Sequence, residues 1–437
     1  MPGVLELLPL EQVAFDGMVA MIRREFERFG YLPIATPTME LTEVLLGKTG
    51  GDTERQIYLV QSSGAADAGE DPDLALRFDL TVPLARYVAE HEHRLSFPFR
   101  RYQIQPVFRG ERPQKGRYRE FLQCDIDVID RGELSVRYDA EIPAVINAVF
   151  DALGFGEFVI RINNRRLLTG LLRSLGIGAQ VEALRELDKL DKRGDEAVVA
   201  SLISSGVSTG SARALVEMVG GGVRTGDAAM SLLDEFRLDN DLLRQGVAET
   251  KEVLGLVGEW GVPASRFGLD LAIARGLDYY TGTVYETTLM SHPELGSICS
   301  GGRYDDLAGQ YTKSKLPGVG ISIGFSRLFW QLESAQLLPS AHNSVAVLVG
   351  LLDDDGLEES LRIAAELRRA GVNTQSTVVA DKIGSQLKYA DRNAIDLYVV
   401  AGPVERERNE VLLRNLRTKS QETVPRPHLV AAVKAVS

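Results

Sequence analysis

The chain has 437 residues, of which 44% are hydrophobic and 25% charged, and its net charge is −12. A chain of this length is too long to fold around a single hydrophobic core, so we expect two to four domains. The sequence contains no run of about 18 uncharged apolar residues and no basic segment that leads into an apolar one, so we expect neither a membrane span nor a secretory signal, but a cytoplasmic protein. The negative charge argues against indiscriminate binding to nucleic acid, while it leaves room for a local basic face.

The opening segment predicts a helix followed by strands. Apolar residues recur at three- and four-residue spacing in EQVAFDGMVAMIRREFERFGY, which predicts a helix that ends near Gly30. The next segment, YLPIATPTME, contains Pro33 and Pro37, as is typical of an edge strand or an interface. Four strand-like runs follow with turn-like breaks and no regular helical crossover: LALRFDLTV, FRRYQIQPVFRG, YREFLQCDIDVID and FVIRIN. This order favours an antiparallel sheet over a parallel doubly wound one.

The pattern of apolar residues changes further along the chain, first to a helical period and then back to strand-like runs. From about Asn164 to Gly261, Leu, Ala, Glu and Arg recur at helical spacing, which predicts an all-helical block inserted into the sheet region. Strand character returns in RFGLDLAIARGLDYYTGTVYETTL and in PGVGISIGFSRLFWQL, so the first domain is expected to be discontinuous. From Asn343 onward the chain is neutral, with 13 basic and 13 acidic residues. There strands and helices alternate as βαβαβ, which predicts a small α/β domain with parallel neighbours.

The two cysteines, Cys124 and Cys299, do not form a disulfide framework, and with five scattered histidines they give no zinc spacing. We expect two small buried thiols, which pack like apolar side chains, and no metal site.

The segment FRGERPQKGRYREFLQCDID, residues 108–127, is the densest group of functional side chains. Its cations lie within eleven residues and are Arg109, Arg112, Lys115, Arg117 and Arg119. Such a cluster favours an anion such as a triphosphate or a nucleic-acid backbone, although a solvated hairpin tip would carry the same charge. Strand alternation decides between the two readings, because one face is apolar and the other is polar. The polar face carries Arg119, Phe121, Gln123, Asp125 and Asp127. A ring beside a guanidinium can stack on a purine, while Gln and Asp can bind an ammonium or an imidazole N–H, so this face predicts recognition.

These residues resemble the second signature motif of class II aminoacyl-tRNA synthetases. The runs RGLDYYTG and GGRYDDL are similar to the histidine-specific signature of the histidyl-tRNA synthetase family. The opening helix with Pro37 resembles the first class II motif, a dimer-interface element, and PGVGISIGFSRL resembles the third. The resemblance runs through nearly the whole chain, and the combination of motifs is specific where no single motif would be.

The resemblance implies an α+β fold: a class II synthetase-type antiparallel sheet flanked by helices, with an all-helical insertion and a C-terminal α/β anticodon-binding domain. The expected boundaries are 1–163 for the first part of the catalytic domain, 164–262 for the insertion, 263–335 for the second part and 343–437 for the anticodon-binding domain.

The resemblance also implies site residues. For ATP, it implies that Arg109 binds the α-phosphate, Glu111 lies near the adenine, Phe121 stacks on it and Arg327 meets the γ-phosphate. For histidine, it implies that the α-amino group is held by Asp79 and Thr81 with Gln123 beside them. The imidazole would be read by Asp127 and Tyr280, with Tyr279 lining the pocket. The catalytic cations would be Arg109 and Arg275, both also in contact with histidine, and Arg275 would bridge its carboxylate and the α-phosphate.

One of these positions departs from the pattern of many bacterial members. They carry a PEGT-like segment where this chain has FDLT, so the shorter Asp79 must reach further or the backbone must shift. The change keeps a carboxylate at the position and removes no catalytic group.

The implied activity is activation of histidine by ATP, with Mg²⁺ accompanying the nucleotide, followed by transfer to tRNA(His) by a homodimer formed through the first motif. In the tail, Gln386, Lys388, Tyr389 and Arg392 fall on one predicted helix, where they could contact anticodon bases or simply form an amphipathic helix.

Two other classes of function remain open at this point. One is a catalytically inactive, synthetase-like regulatory subunit or uncharged-tRNA sensor, a type that typically loses the signature arginine and tyrosines. This chain keeps Arg275, Tyr279, Tyr280 and the tail. The other is a nucleotide-binding scaffold without aminoacylation, which would be indifferent to the loss of Arg275.

Overall fold

A computed structural model describes residues 3–46, 55–112, 116–274, 279–338 and 343–436. The chain forms two compact units, one made from Met1–Leu5 and Val19–Leu337 and the other from Glu6–Met18 and Leu338–Ser437. No helix in the described ranges is both long enough and apolar enough to cross a membrane.

The first part of the chain forms helices and strands in quick succession. In chain order they are α1 (Pro9–Arg28), β1 (Leu32–Pro33), β2 (Met39–Leu41), α2 (Thr42–Leu46), β3 (Leu59–Val60), α3 (Ser63–Asp67), β4 (Leu74–Leu76), α4 (Thr81–His91), β5 (Phe99–Phe108), β6 (Glu120–Ile129), α5 (Arg137–Leu153) and β7 (Phe158–Asn164). In α1, Ile22 and Phe26 lie one turn apart and are fully buried. Gly30 follows with a φ of 78°, a left-handed conformation that glycine adopts without strain, and the chain then turns into β1.

Seven α-helices follow β7 before the sheet resumes, and the first six are short. They are α6 (Arg165–Ser174), α7 (Gln180–Leu187), α8 (Leu190–Arg193), α9 (Asp195–Ser204), α10 (Thr209–Val219) and α11 (Gly226–Glu235). The longest helix of this part, α12 (Asp241–Glu259), closes the block. Two of these helices begin at asparagine caps: Asn164 accepts hydrogen bonds from the backbone of α6, and Asn240 accepts one from Leu243 in α12. The sheet then resumes with β8 (Phe267–Leu269), β9 (Thr283–Leu289), β10 (Ser297–Tyr304) and β11 (Gly318–Gly324), and α13 (Phe325–Ser334) ends the unit.

A sheet of eight strands in the order β1-β5-β6-β11-β10-β9-β7-β8 is the centre of this unit. Its pairs are antiparallel except at the two edges, where β1 runs parallel to β5 and β8 parallel to β7. A separate antiparallel sheet has the order β2-β4-β3. The order brings β6, β11 and β10 side by side, although about 170 residues separate the first from the others in sequence.

The other unit contains the βαβαβ pattern. Its elements are β12 (Val347–Val349), α14 (Leu357–Arg369), β13 (Thr374–Ser376), α15 (Ile383–Arg392), β14 (Leu397–Val400), α16 (Pro403–Arg408), β15 (Glu410–Asn415), β16 (Gln421–Pro425) and α17 (Leu429–Val436). As predicted, β12 pairs in parallel with both β13 and β14. The sheet continues antiparallel through β15 and β16, which the sequence analysis did not anticipate. Within α15, Gln386 is buried and bonds to both the N–H and the carbonyl of Leu351, so it holds the fold together instead of facing a ligand.

Three sequence-based expectations about the strands of the first unit were wrong. Only Leu74–Leu76 of the run LALRFDLTV is a strand, because the chain turns at Asp79, whose side chain accepts a hydrogen bond from Val82 at the start of α4. Helices α4 and α5 separate the strands where no helical crossover was expected. Residues 279–282, which include Tyr279 and Tyr280 and precede β9, are not strand.

Candidate active site

One cavity of about 460 Å³ opens onto the large sheet of the first unit. It is lined by ten of the eleven residues that the sequence singled out: Asp79, Thr81, Arg109, Glu111, Phe121, Gln123, Asp127, Tyr279, Tyr280 and Arg327. The eleventh, Arg275, lies outside the described residues. These ten come from five separated segments of the chain, so the fold gathers them at one place.

Small residues on β11 and β10 create the floor of the cavity. Along β6, Asp127 is paired with Gly320, Asp125 with Ser322 and Gln123 with Gly324. On the far side of β11, Gly302 and Ser300 of β10 continue the first two rows. A Cβ at Gly320 would lie 2.1 Å from the carbonyl oxygen of Ile126 and 2.4 Å from Oδ1 of Asp127. The glycine-rich run GVGISIG therefore leaves open the space that the polar face of β6 overlooks.

Three buried carboxylates stand in the cavity wall. Asp79, Asp125 and Asp127 are each at most 3% exposed. Burial raises the pKa of Asp79 to about 6, that of Asp125 to about 7 and that of Asp127 to about 6, while nearby guanidinium groups oppose these shifts. A cationic ligand that donated hydrogen bonds to these three carboxylates would favour their ionised forms. The wall is therefore suited to bind a positively charged ligand.

Several acceptor atoms in this wall have no hydrogen-bond partner among the described residues. They are Oδ2 of Asp79, Oδ1 of Asp125 and Oε1 of Gln123. The amide nitrogen of Gln123 donates to Oγ of Ser322 at 2.7 Å, which fixes the orientation of the side chain and leaves its oxygen available. Buried acceptors without partners are costly, and a ligand with several N–H donors would satisfy them.

The carboxylate of Asp127 is held from two sides. Its Oδ1 accepts a hydrogen bond from the hydroxyl of Tyr304 at 2.8 Å, and its Oδ2 lies 2.5 Å from Nη2 of Arg101. These contacts come from β10 and β5, the strands on either side of the β6-β11 pair. The carboxylate is thus fixed in position before any ligand arrives.

Tyrosine rings form an adjoining wall. The ring centroids of Tyr279 and Tyr280 are 4.9 Å apart in an edge-to-face arrangement, and Tyr279 meets Tyr304 in the same way at 6.2 Å. Tyr279 also shares a side-chain hydrogen bond with Thr81. Burial raises the pKa of Tyr279 well above its ordinary value, so its phenol stays protonated and can donate a hydrogen bond.

A guanidinium and a phenyl ring face each other elsewhere in the cavity. The Cζ atom of Arg109 lies 5.1 Å from the ring centroid of Phe121, and Nε of Arg109 donates to the carbonyl oxygen of Phe78 at 3.0 Å. Nearby, Glu111 forms an ion pair with Arg117 at 3.5 Å. This arrangement combines a stacking surface with fixed positive charge, as a nucleotide requires.

A further cation comes from the first turn of α13. Nη2 of Arg327 donates to the carbonyl oxygen of Leu295 at 3.0 Å. Burial lowers the pKa of Arg327, and the positive charge of Arg117 lowers it further. Two like charges held near each other favour a multiply charged anion between them.

Sequence reasoning missed several residues that complete the wall. Tyr304, Ser322 and Arg101 were not singled out, and Asp125 was noted only as part of the polar face of β6. Arg101 on β5 and Tyr304 on β10 lie next to Asp127 because of the register in which these strands pair with their neighbours. The sequence alone does not reveal that register. In the described ranges, no three His, Cys, Asp or Glu side chains are grouped so that they could hold a metal ion.

Comparison with family models matches both parts of the chain. Residues 3–328 match the model described as histidyl-tRNA synthetase, and residues 344–436 match the anticodon-binding domain.

Individual proteins give matches of nearly full length. The chain is 53% identical over 448 residues to the histidine–tRNA ligase of Stenotrophomonas maltophilia (strain K279a), covering 99% of this chain and 97% of that protein. It is also 53% identical over 450 residues to the histidine–tRNA ligase of Xylella fastidiosa (strain M23), with the same coverage of both chains. Among solved structures, histidyl-tRNA synthetase from Nostoc sp. PCC 7120 superimposes with a TM-score of 0.89 at 38% identity, covering 99% of this chain and 98% of that one.

Proposed function

Because the chain belongs to the histidyl-tRNA synthetase family, we propose that it activates histidine with ATP and transfers the histidyl group to tRNA(His). One observation carries the proposal: the same cavity presents unpartnered acidic and amide acceptors next to a guanidinium–phenyl pair. The acceptors suit the cationic end of an amino acid, and the pair suits a nucleotide.

The first step joins two anions. A carboxylate oxygen of histidine attacks the α-phosphorus of ATP, a new O–P bond forms, the α–β bridging bond breaks, and pyrophosphate leaves. The barrier is dominated by charge repulsion and positioning, so fixed cations are the groups that matter most. Arg109 supplies one such cation, and its bond to the carbonyl of Phe78 holds its side chain in place. By the family resemblance, Arg275 supplies the other between the two anions.

The cations and the phenyl ring indicate which end of the cavity would bind the nucleotide. Phe121 would stack on the adenine and Arg327 would meet the γ-phosphate. Mg²⁺ enters with ATP as part of the substrate. It binds phosphate oxygens and water with few protein ligands, as is usual for this ion.

The polar side chains at the opposite end of the cavity would select histidine. Asp79, Thr81 and Gln123 would receive the α-ammonium, while Asp127, Tyr279 and Tyr280 would surround the imidazole. An amino acid of similar size without ring N–H groups would leave the carboxylate of Asp127 buried without a new donor, which penalises its binding.

The second step uses the other unit. The terminal ribose hydroxyl of the tRNA attacks the carbonyl carbon of histidyl-adenylate, an ester forms, and AMP leaves. The C-terminal unit would bind the anticodon, and the half-exposed Tyr389 on α15 could stack on a splayed base there.

We also propose a cytoplasmic homodimer that forms through the first motif. Support comes from exposed apolar side chains in and beside β1 and β2: Leu32 is 65% exposed and Met39 is 49% exposed. Exposed apolar side chains in one region are typical of a protein interface. Analytical ultracentrifugation at micromolar concentration tests the proposal, because a monomer would contradict it.

The experiment that tests the function is charging of tRNA(His) by the purified full-length chain with labelled histidine and Mg²⁺-ATP. We expect labelled tRNA to accumulate with tRNA(His) and not with a non-cognate tRNA. Folded protein that binds tRNA(His) without charging it would point instead to a regulatory subunit or an uncharged-tRNA sensor.

A further inference from the structure

Arg101 is a buried cation beside the proposed histidine pocket. Its side chain is completely inaccessible to solvent, and it lies directly across from Asp127 in the register of β5 with β6. The distance from Nη2 of Arg101 to Oδ2 of Asp127 is 2.5 Å. Because antiparallel partners project to the same side of a sheet, Arg101 shares the face of β6 that overlooks the cavity.

The contacts of Arg101 differ from those of a structural arginine. Arg77 is equally buried, but its guanidinium donates to the backbone carbonyls of Thr36, Pro37 and Pro106. In Arg101, none of the three guanidinium nitrogens has a hydrogen-bond partner among the described residues, and the contact of Nη2 with Asp127 is an ion pair. A buried guanidinium that bonds to no backbone segment contributes little to the stability of the fold. Its desolvation is costly unless a nearby negative charge compensates for it.

The surroundings of the pair show how the charge can be used. The titratable groups that act on Asp127 or share its wall, besides Arg101, are Asp79, Asp125, Tyr31, Tyr279, Tyr280 and Tyr304. Burial disfavours ionisation of all three aspartates, neighbouring carboxylates add to this at Asp79 and Asp125, and the charge of Arg101 opposes it at each of the three. No other cation contacts Asp127 in the part of the chain that the structure describes.

We propose that Arg101 is a positioning residue that keeps Asp127 ionised and oriented toward the imidazole, and thereby sets the lower end of the pH range in which the cavity binds histidine. The proposal rests on the proposed function, because it takes histidine as the ligand. Without Arg101, Asp127 would be a buried carboxylate held by a single phenol, and it would take up a proton near neutral pH. A protonated Asp127 accepts hydrogen bonds from an imidazole N–H poorly.

The test is isothermal titration calorimetry of histidine binding to the full-length protein from about pH 5.5 to about pH 8.5. For Arg101→Met we expect the dissociation constant to rise by about tenfold or more near pH 6.5 and to approach the wild-type value near pH 8.5, since a shift of one unit in the controlling pKa is tenfold in occupancy. Arg101→Lys, which keeps the charge and loses the fork, should restore most of the affinity. The dissociation constant of ATP should not change in either variant.

Arg100→Met is the matched control. Arg100 precedes Arg101 on the same strand and projects to the other face, where its Nη2 donates to Glu141 at 2.8 Å. Removing this charge should lower the melting temperature without moving the pH dependence of histidine binding. A folded Arg101→Met variant whose pH profile superimposes on that of the wild type would overturn the proposal.

A second design covers the case in which Arg101→Met does not fold. Asp127→Asn removes the group through which Arg101 acts, and the double variant Arg101→Met/Asp127→Asn removes both members of the ion pair, so neither is left buried alone. In the Asp127→Asn background, Arg101→Met should shift the pH profile far less than it does in the wild-type background, since only its effect on Asp79 and Asp125 remains, and a shift of the same size in both backgrounds would contradict the proposal. The wild-type titration is read separately: no histidine binding by folded wild-type protein would refute the proposed function itself, whatever the variants do.

Discussion

The guanidinium of Arg109 faces the ring of Phe121 in one wall of the cavity, with 5.1 Å between the Cζ atom and the ring centroid. Arg109 is fixed by its bond to the carbonyl of Phe78, whereas the phenyl ring lies on the strand that also carries the acceptors for histidine. An adenine stacked on Phe121 would therefore place its phosphates near a fixed cation and near the amino acid.

Phe121→Leu should weaken ATP binding without weakening histidine binding. Base–aromatic stacking contributes about 1–3 kcal/mol, so we expect the KM for ATP to rise about tenfold while the KM for histidine stays within about twofold. Steady-state pyrophosphate exchange with each substrate varied in turn measures both constants. A larger effect on histidine than on ATP would show that the ring lies at the wrong end of the cavity.

Asp127→Asn should damage recognition of histidine. A hydrogen bond to a charged group contributes about 1.5–3 kcal/mol, so kcat/KM for histidine should fall by roughly a hundredfold. Glu92→Gln is the control, because it alters a partly exposed carboxylate that pairs with Arg131 and does not line the cavity. Equal effects of the two substitutions on kcat/KM would contradict the assignment of Asp127.

The buried aspartates should make the free protein less stable as the pH rises. In the folded chain the pKa values of Asp79, Asp125 and Asp127 lie at about 6, about 7 and about 6, above the ordinary value of 3.8. The folded state therefore binds more protons than the unfolded state between about pH 4 and about pH 7, and the contribution of these groups to the free energy of unfolding decreases through that window.

Calorimetric melting of the ligand-free protein from about pH 5 to about pH 8 measures this effect. Asp125→Asn removes one of the titrating groups, so the decline in melting temperature with pH should become shallower in that variant. A decline of the same slope in the variant would show that Asp125 does not contribute to it.

Gly320→Ala should close the floor of the cavity. The added Cβ would lie 2.4 Å from Oδ1 of Asp127 and 2.1 Å from a backbone oxygen of the neighbouring strand, neither of which can move freely. We expect loss of histidine binding together with lower stability, measured by calorimetry and thermal melting. Gly255→Ala is the matched control, because it is an exposed helical glycine with open space around it and should gain up to about 1 kcal/mol in stability.

Arg275→Ala should abolish activation while leaving ATP binding intact. The expected loss is several kcal/mol of transition-state stabilisation, on the order of 10²–10³ in kcat, because the cation that would join the two reacting anions is removed. Single-turnover formation of histidyl-adenylate measures the step directly. An unchanged rate would show that Arg275 does not act in this step, and the absence of adenylate with both wild type and variant would support a nucleotide-binding scaffold instead.

The periodic patterns in the sequence predicted much of the fold. The alternation along residues 119–128 separated a polar face from an apolar one, and the structure places Phe121, Gln123 and Asp127 of that face in the cavity wall. The alternating tail predicted the parallel core of the C-terminal unit. In each case a local period was enough, because burial selects apolar residues at that period.

What the sequence did not predict depends on pairings between distant segments. Arg101 contacts Asp127 because β5 and β6 pair in the register that places the two residues opposite each other. Tyr304 contacts the same carboxylate because β10 lies next to β11, which pairs with β6. The strand assignment of LALRFDLTV was wrong because a local hydrogen bond from Val82 to Asp79 starts a helix where β-propensity favoured a strand.

The central claim is that this cavity activates histidine and discriminates against other amino acids. The most direct measurement is ATP–pyrophosphate exchange by the purified full-length protein with each standard amino acid supplied separately. We expect exchange that depends on histidine and is lower by orders of magnitude with every other amino acid. Folded protein that binds ATP but gives no histidine-dependent exchange, or that exchanges equally well with another amino acid, would contradict it.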